Sequence, residues 1–254
     1  MGTLKELARS GAEIRQAERE ARADLAAAFR LAVRMELHEG VCNHFSVMLE
    51  GGRFLLNRYG LHWSEVSASN LLCLDAGGTV LEGDGEVEKT AFYIHSRIHL
   101  AHPRAACVLH THMPYATALT LLEGGRLEMA EQNALRFHDD IAYDDVYNGL
   151  VVDPGEGDRL AAALGAKRVL FLASHGVIVT GASVAEAFDS LYYLERACRL
   201  QVLARSTGGK LRAVRPEVVR ETHRLLGADL PKYAEAHFSA LKRILDREEP
   251  GYSR

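Results

Sequence analysis

The chain has 254 residues, 48% of them hydrophobic, which suits one large domain or two small ones with a sizeable core. Thirty Lys and Arg against 34 Asp and Glu leave a formal charge of -4, without the cationic excess that phosphate backbones demand, so nucleic acid is not an expected partner. No run of about 18 apolar residues occurs, so no membrane span is expected, and Met1 to Arg15 lacks the apolar core of a signal peptide. Cys42, Cys73, Cys107 and Cys198 lie far apart among apolar neighbours with no C-x-x-C pairing; they read as buried thiols in a reducing compartment, and the expected location is cytoplasmic.

Residues 3–38 are rich in Ala, Glu, Arg and Leu, with Leu25, Phe29, Val33 and Leu37 at helical spacing, which predicts one or two helices divided near Gly11. From Phe45 to Val80, short apolar runs alternate with Gly51-Gly52, Gly60 and Gly77-Gly78, the pattern of an antiparallel meander. A helix from about Glu88 to Ala101 ends at His102-Pro103. Ala106 to His112 reads as a strand, and Pro114 opens a short helix that stops before Gly124-Gly125. Strands are expected near Ile141–Tyr143 and Val169–Ala173, with a short helix around Asp158–Leu164 between them. Ser183 and Glu186 form a capping box for a long amphipathic helix that reaches about Arg205. Residues from Glu217 to about Glu248 read as helical with a break near Pro231. Nothing demands a second domain, so the expectation is one mixed sheet flanked by helices.

The strongest chemical signal is His110-x-His112 at the end of an apolar strand, because a period of two places both imidazoles on one face, close enough to share an ion. Two histidines at a strand end also meet solvent or carbonyls without any ion, so a third ligand is needed. Ser174-His175-Gly176 offers one: an apolar strand delivers His175 into a glycine turn, where a polar ring needs a partner, either backbone or metal. His95, His99 and His102 fall along one helical face, where a metal site is conceivable; His99 and His102 read as exposed. His44 is a further pocket candidate. Tyr192, Tyr193 and Trp63 read as packing residues, since adjacent tyrosines on a helix point in different directions.

In this order, Asn43-His44-Phe45-Ser46, Thr90 to His95, Pro103 to His112 and Ser174-His175-Gly176-Val177 resemble the class II aldolase/adducin family over roughly residues 20–205. The resemblance implies a three-layer α/β/α domain around a mixed, largely antiparallel sheet, spanning 1–254, with N-terminal helices over about 3–38 and a C-terminal helical extension over about 206–254. It also implies a divalent metal, zinc by expectation, on His110, His112 and His175. In aldolases of that family the metal polarises a carbonyl and stabilises the enediolate of C–C cleavage, and the enzymes are tetramers with pockets at subunit boundaries.

Three departures qualify the resemblance. Aldolase members carry a Glu one helical turn before the position of His95, where this chain has Ala91; Glu88 would need a shifted register to replace it. Some members supply a Tyr as general acid, and ungapped counting from His112 reaches Glu131 and Gln132 instead. Glu131 is the expected acid/base if burial raises its pKa, with Asn43, Arg58, His95 and Gln132 as expected substrate-binding residues. Phosphate-binding members have Ser/Thr-Gly loops, whereas Asn57-Arg58-Tyr59-Gly60 stands here, so Arg58 is matched to a carboxylate and a sugar phosphate is not expected.

The resulting expectation is a homo-oligomeric, metal-dependent carbon–carbon lyase of aldolase or decarboxylase type, acting on a small polar carbonyl compound or a hydroxy or keto acid. The alternative is a non-catalytic adducin-head-like scaffold. A metallo-β-lactamase-like hydrolase would place a ligating Asp two residues after His112, and Pro114 stands there.

Overall fold

The computed structural model describes residues 10–254. Helix α1 (Gly11–Arg34) opens on a capping box in which Ser10 Oγ accepts from the Glu13 N–H while the Glu13 carboxylate accepts from the Ser10 N–H. Gly11 therefore stands at the start of a helix, and residues 3–9 of the expected N-terminal helical region lie outside the described residues.

The meander forms as strands β1 (His44–Met48), β2 (Phe54–Leu56), β3 (Leu72–Leu74) and β4 (Val80–Glu82), each antiparallel to the next. Beyond them come α2 (Lys89–Ala101), β5 (Cys107–Thr111) and α3 (Pro114–Thr120). Then follow β6 (Ile141–Asp144), α4 (Pro154–Leu164), β7 (Val169–Leu172) and β8 (Gly176–Gly181). Among the described residues, eight strands join one mixed sheet in the order β4-β3-β2-β1-β5-β8-β7-β6, parallel only between β6 and β7.

Side chains alternate between the two faces of this sheet. Val108, Leu170, Leu172 and Ile178 pack with Ile94 and Ile98 of α2 and Leu160 and Leu164 of α4. Cys107, Leu109, Val177 and Val179 pack on the other side with Leu25 and Phe29 of α1, Ala116 of α3, and Phe188 and Leu191 of α5 (Val184–Ser206). The layers are thus helix, sheet, helix, with α6 (Pro216–Ala228) and α7 (Leu230–Glu248) packed outside, α7 against α5 and α1. Trp63 is buried against Phe29 and Phe45.

Several local details differ from the sequence expectation. Helix α4 begins at Pro154 rather than near Asp158, because Asp153 caps it and Pro154 is pre-set for a first turn. Ser183 Oγ accepts from the Glu186 N–H, but the Glu186 carboxylate reaches the Ala182 N–H, so the capping box is only half formed. Cys42 is exposed instead of buried, since it lies in the turn that Glu39 and Cys42 close before β1. His99 is buried, because its face of α2 lies over β1 rather than solvent, and His102 is half-buried with Nε2 2.8 Å from the Ala161 carbonyl.

Candidate metal centre

His110 lies in β5 and His112 just past its end, on the sheet face that carries α2 and α4. Ser174 takes φ 55°, a left-handed turn that swings the chain from β7 into β8 and sets His175 beside β5. Gly176 follows because nothing larger fits: a Cβ there would meet Thr111 O at 2.5 Å and His112 Cδ2 at 2.7 Å. That close approach brings one ligand atom from each of His110, His112 and His175 within 4.8 Å of one another.

The backbone and a carboxylate orient two of the rings. His110 Nδ1 donates to the Val177 carbonyl at 3.0 Å, and His112 Nδ1 donates to Glu39 Oε2 at 2.5 Å. Both bonds leave Nε2 as the free nitrogen, and His112 Nε2 is buried without a partner among the described residues. A carboxylate behind a ligating imidazole fixes its tautomer and raises its basicity. Burial, with His175 as the next cause, holds His110 well below the usual histidine pKa, and burial with His112 nearby lowers His175 to about 4. Imidazole nitrogens this close to one another fit a divalent transition metal.

The three histidines stand at a cavity of about 460 Å³. Asn43 lines it from the turn before β1, His44 from the first position of β1, Glu88 and Thr90 from the start of α2, and Tyr147 from the segment after β6. Asn43 is buried with φ 73°; its Oδ1 accepts from the His112 N–H at 3.2 Å, and its Nδ2 has no partner among the described residues. His44 is paired with His110 across β1 and β5, their rings 4.9 Å apart. No Lys or Arg is among the described residues lining the cavity.

Other expected site residues lie elsewhere. The Glu131 carboxylate accepts from the Asn133 and Ala134 N–H groups, and neither it nor exposed Gln132 lines this cavity. Arg58 also lies outside the lining and packs over Gly85, where a methyl group would come within 3.0 Å of Nε. His95 sits one layer behind, hydrogen-bonded to His44. Ala91 is buried with Phe54, Leu56 and Leu74, whereas Glu88, the N-cap of α2, does face the cavity; its carboxylate accepts from the Ala91 N–H at 2.7 Å and from the Thr90 hydroxyl. An N-cap acid at a helix start was the signal that could have placed it. Glu39 carried none, since it reaches His112 only through the fold.

This layered sheet with three strand-end histidines is an aldolase-type scaffold, and comparison with known proteins agrees. The sequence pattern of the Class II Aldolase and Adducin N-terminal domain matches residues 23–202, and the chain belongs to that family. A Caulobacter vibrioides protein provisionally named as a class 2 aldolase is 33% identical, covering 99% of this chain and 98% of its own. An adducin-related protein of Schizosaccharomyces pombe is 32% identical over 91% of this chain and 75% of its own length. The crystal structure of an aldolase II superfamily protein from Pseudomonas syringae superposes with a TM-score of 0.87 at 34% identity, covering 93% of this chain and 96% of the other. Class II aldolases depend on a divalent metal, and the family supports a lyase-type function. No helix among the described residues is long and apolar enough to cross a membrane.

Proposed function

We propose that the chain is a metal-dependent carbon–carbon lyase, of aldolase or decarboxylase type, acting on a small polar carbonyl compound that is not a sugar phosphate. The observation that carries this reading is the convergence of His110, His112 and His175 at a cavity that also holds a carboxylate, Glu88. Zinc suits three imidazole ligands with an open position, and when bound it supplies Lewis-acid polarisation of a carbonyl oxygen. The chain's own groups do the rest. Asn43 Nδ2 is a free donor toward a substrate oxygen. Glu88 takes the acid/base role in place of Glu131: it lines the cavity and both of its N-cap bonds fall on Oε2, whereas Glu131 lies outside the lining with both carboxylate oxygens bonded to backbone N–H groups. A cavity without lysine or arginine gives a phosphate dianion no counter-charge, which supports a non-phosphorylated keto or hydroxy acid. Exposed Tyr59, Tyr147, Leu150 and Val152 support a homo-oligomer whose copies cover them.

The test is to assay cleavage of sugar phosphates and decarboxylation of β-keto acids side by side on the zinc-loaded protein. The second reaction is expected and the first is not. Glu88→Gln should lower turnover by roughly 10²–10⁴-fold if Glu88 moves the proton. Zinc retained by a His110→Ala, His112→Ala, His175→Ala triple variant would defeat the assignment. The adducin-related relative favours a second reading, a non-catalytic scaffold, which gains if metal binds and neither reaction appears.

A further inference from the structure

Behind the cavity, α2 and β1 enclose a run of polar side chains that the metal centre does not use. His95, Ser46 and His99 are at most 4% exposed. His99 Nδ1 lies 2.8 Å from the Ala105 carbonyl oxygen and His99 Nε2 lies 2.7 Å from Ser46 Oγ. Ser46 Oγ is also bonded to His95 Nδ1, and His95 Nε2 lies 2.8 Å from His44 Nδ1. The run ends at His44, which lines the cavity opposite His110.

One end of this run sets the direction of every bond in it. A carbonyl only accepts, so His99 carries its proton on Nδ1. His44, His95 and His99 are all buried and no carboxylate takes part in these bonds, so each ring is neutral, with one donor and one acceptor nitrogen, while a hydroxyl donates once and also accepts. His99 Nε2 therefore accepts from Ser46 Oγ–H, Ser46 Oγ accepts from His95 Nδ1–H, and His95 Nε2 accepts from His44 Nδ1–H. His44 is left with a bare Nε2, which has no hydrogen-bond partner among the described residues. Reversing any single bond would place two protons or two lone pairs face to face in a buried site, at the full cost of an unmade hydrogen bond.

We propose that this relay locks His44 as the Nδ1–H tautomer and presents its Nε2 to the cavity as a fixed acceptor, which selects ligands bearing a hydroxyl next to the oxygen held at the metal. The tautomer stands on burial and hydrogen-bond geometry; the ligand preference rests on the lyase reading for the metal-held oxygen. A carbonyl or carboxylate oxygen brings only lone pairs to Nε2, whereas an adjacent O–H donates to it. His44 is thus a positioning group for an α-hydroxy acid or α-hydroxy carbonyl compound, and it disfavours the deoxy analogue.

Long-range ¹H–¹⁵N correlation on the full, histidine-labelled chain reads the tautomer directly, with and without zinc. The expected result is a protonated Nδ1 and a bare Nε2 on His44, and a mixture of tautomers in Ser46→Ala. Calorimetric titration of glycolate against acetate into the zinc-loaded protein reads selectivity. The ratio of their affinities should fall by about three- to tenfold in His44→Phe, the worth of one net hydrogen bond, with zinc content unchanged. A proton on His44 Nε2 in the wild-type chain overturns the relay, and an unchanged glycolate-to-acetate ratio in His44→Phe overturns the selectivity. A chain that binds no zinc fails the lyase reading, while the metal-free tautomer measurement still decides the relay.

Discussion

The buried histidines make stability fall in mild acid, and His99 allows the effect to be sized. It is 4% exposed, and burial, opposed only in part by its bond to the Ala105 carbonyl, lowers its pKa from 6.5 to about 4. The unfolded chain takes up a proton below pH 6.5 that the folded chain refuses until about pH 4. The stabilisation is therefore complete above pH 6.5 and is lost as the pH falls toward 4. At about 1.4 kcal/mol per pH unit for one proton, that window is worth about 3 kcal/mol from His99 alone, to order of magnitude. Urea unfolding of the chelator-treated protein, followed by fluorescence of the single tryptophan, buried Trp63, would measure it between pH 4.5 and 7.5. His99→Gln keeps a polar side chain that can reach Ser46 but removes the titrating group. The slope of stability against pH should then lose close to one proton below pH 6. An identical slope in the two proteins would refute the assignment of a neutral, buried His99.

Two further substitutions probe the metal centre. Glu39→Gln removes the charge behind His112 without truncating the loop, and metal affinity measured by chelator competition should fall about tenfold, the lower end for such partners because Glu39 is 61% exposed. Gly176→Ala forces a Cβ against Thr111 O and His112 Cδ2, so thermal unfolding should show a loss of about 1–3 kcal/mol together with weaker metal binding; a variant as stable as wild type would mean that β5 and β8 do not approach this closely.

Much of the fold was legible because it is written in local patterns. Glycine pairs between short apolar runs marked the meander, and Pro114, Ser183 and the His102-Pro103 stop marked helix ends. The pairing of His110 with His112 on one face followed from the period of a strand, whereas the glycine turn at His175 left backbone or metal open as its partner, and the family resemblance was what joined the three into one expected ligand set. The residues around them were a different matter. Glu131 was placed by ungapped counting, which cannot see that its carboxylate is taken up by the Asn133 and Ala134 N–H groups. His99 looked exposed on a helical face, because a 3.6-residue period shows which residues share a face but not that β1 lies against it. Glu88 faces the cavity because the fold sets the start of α2 beside the three histidines, and Glu39 reaches His112 across 73 residues of sequence. Hydrogen bonds of this kind carry little sequence signature: they join groups that only packing brings within 3 Å, and packing sums weak contacts from the whole chain.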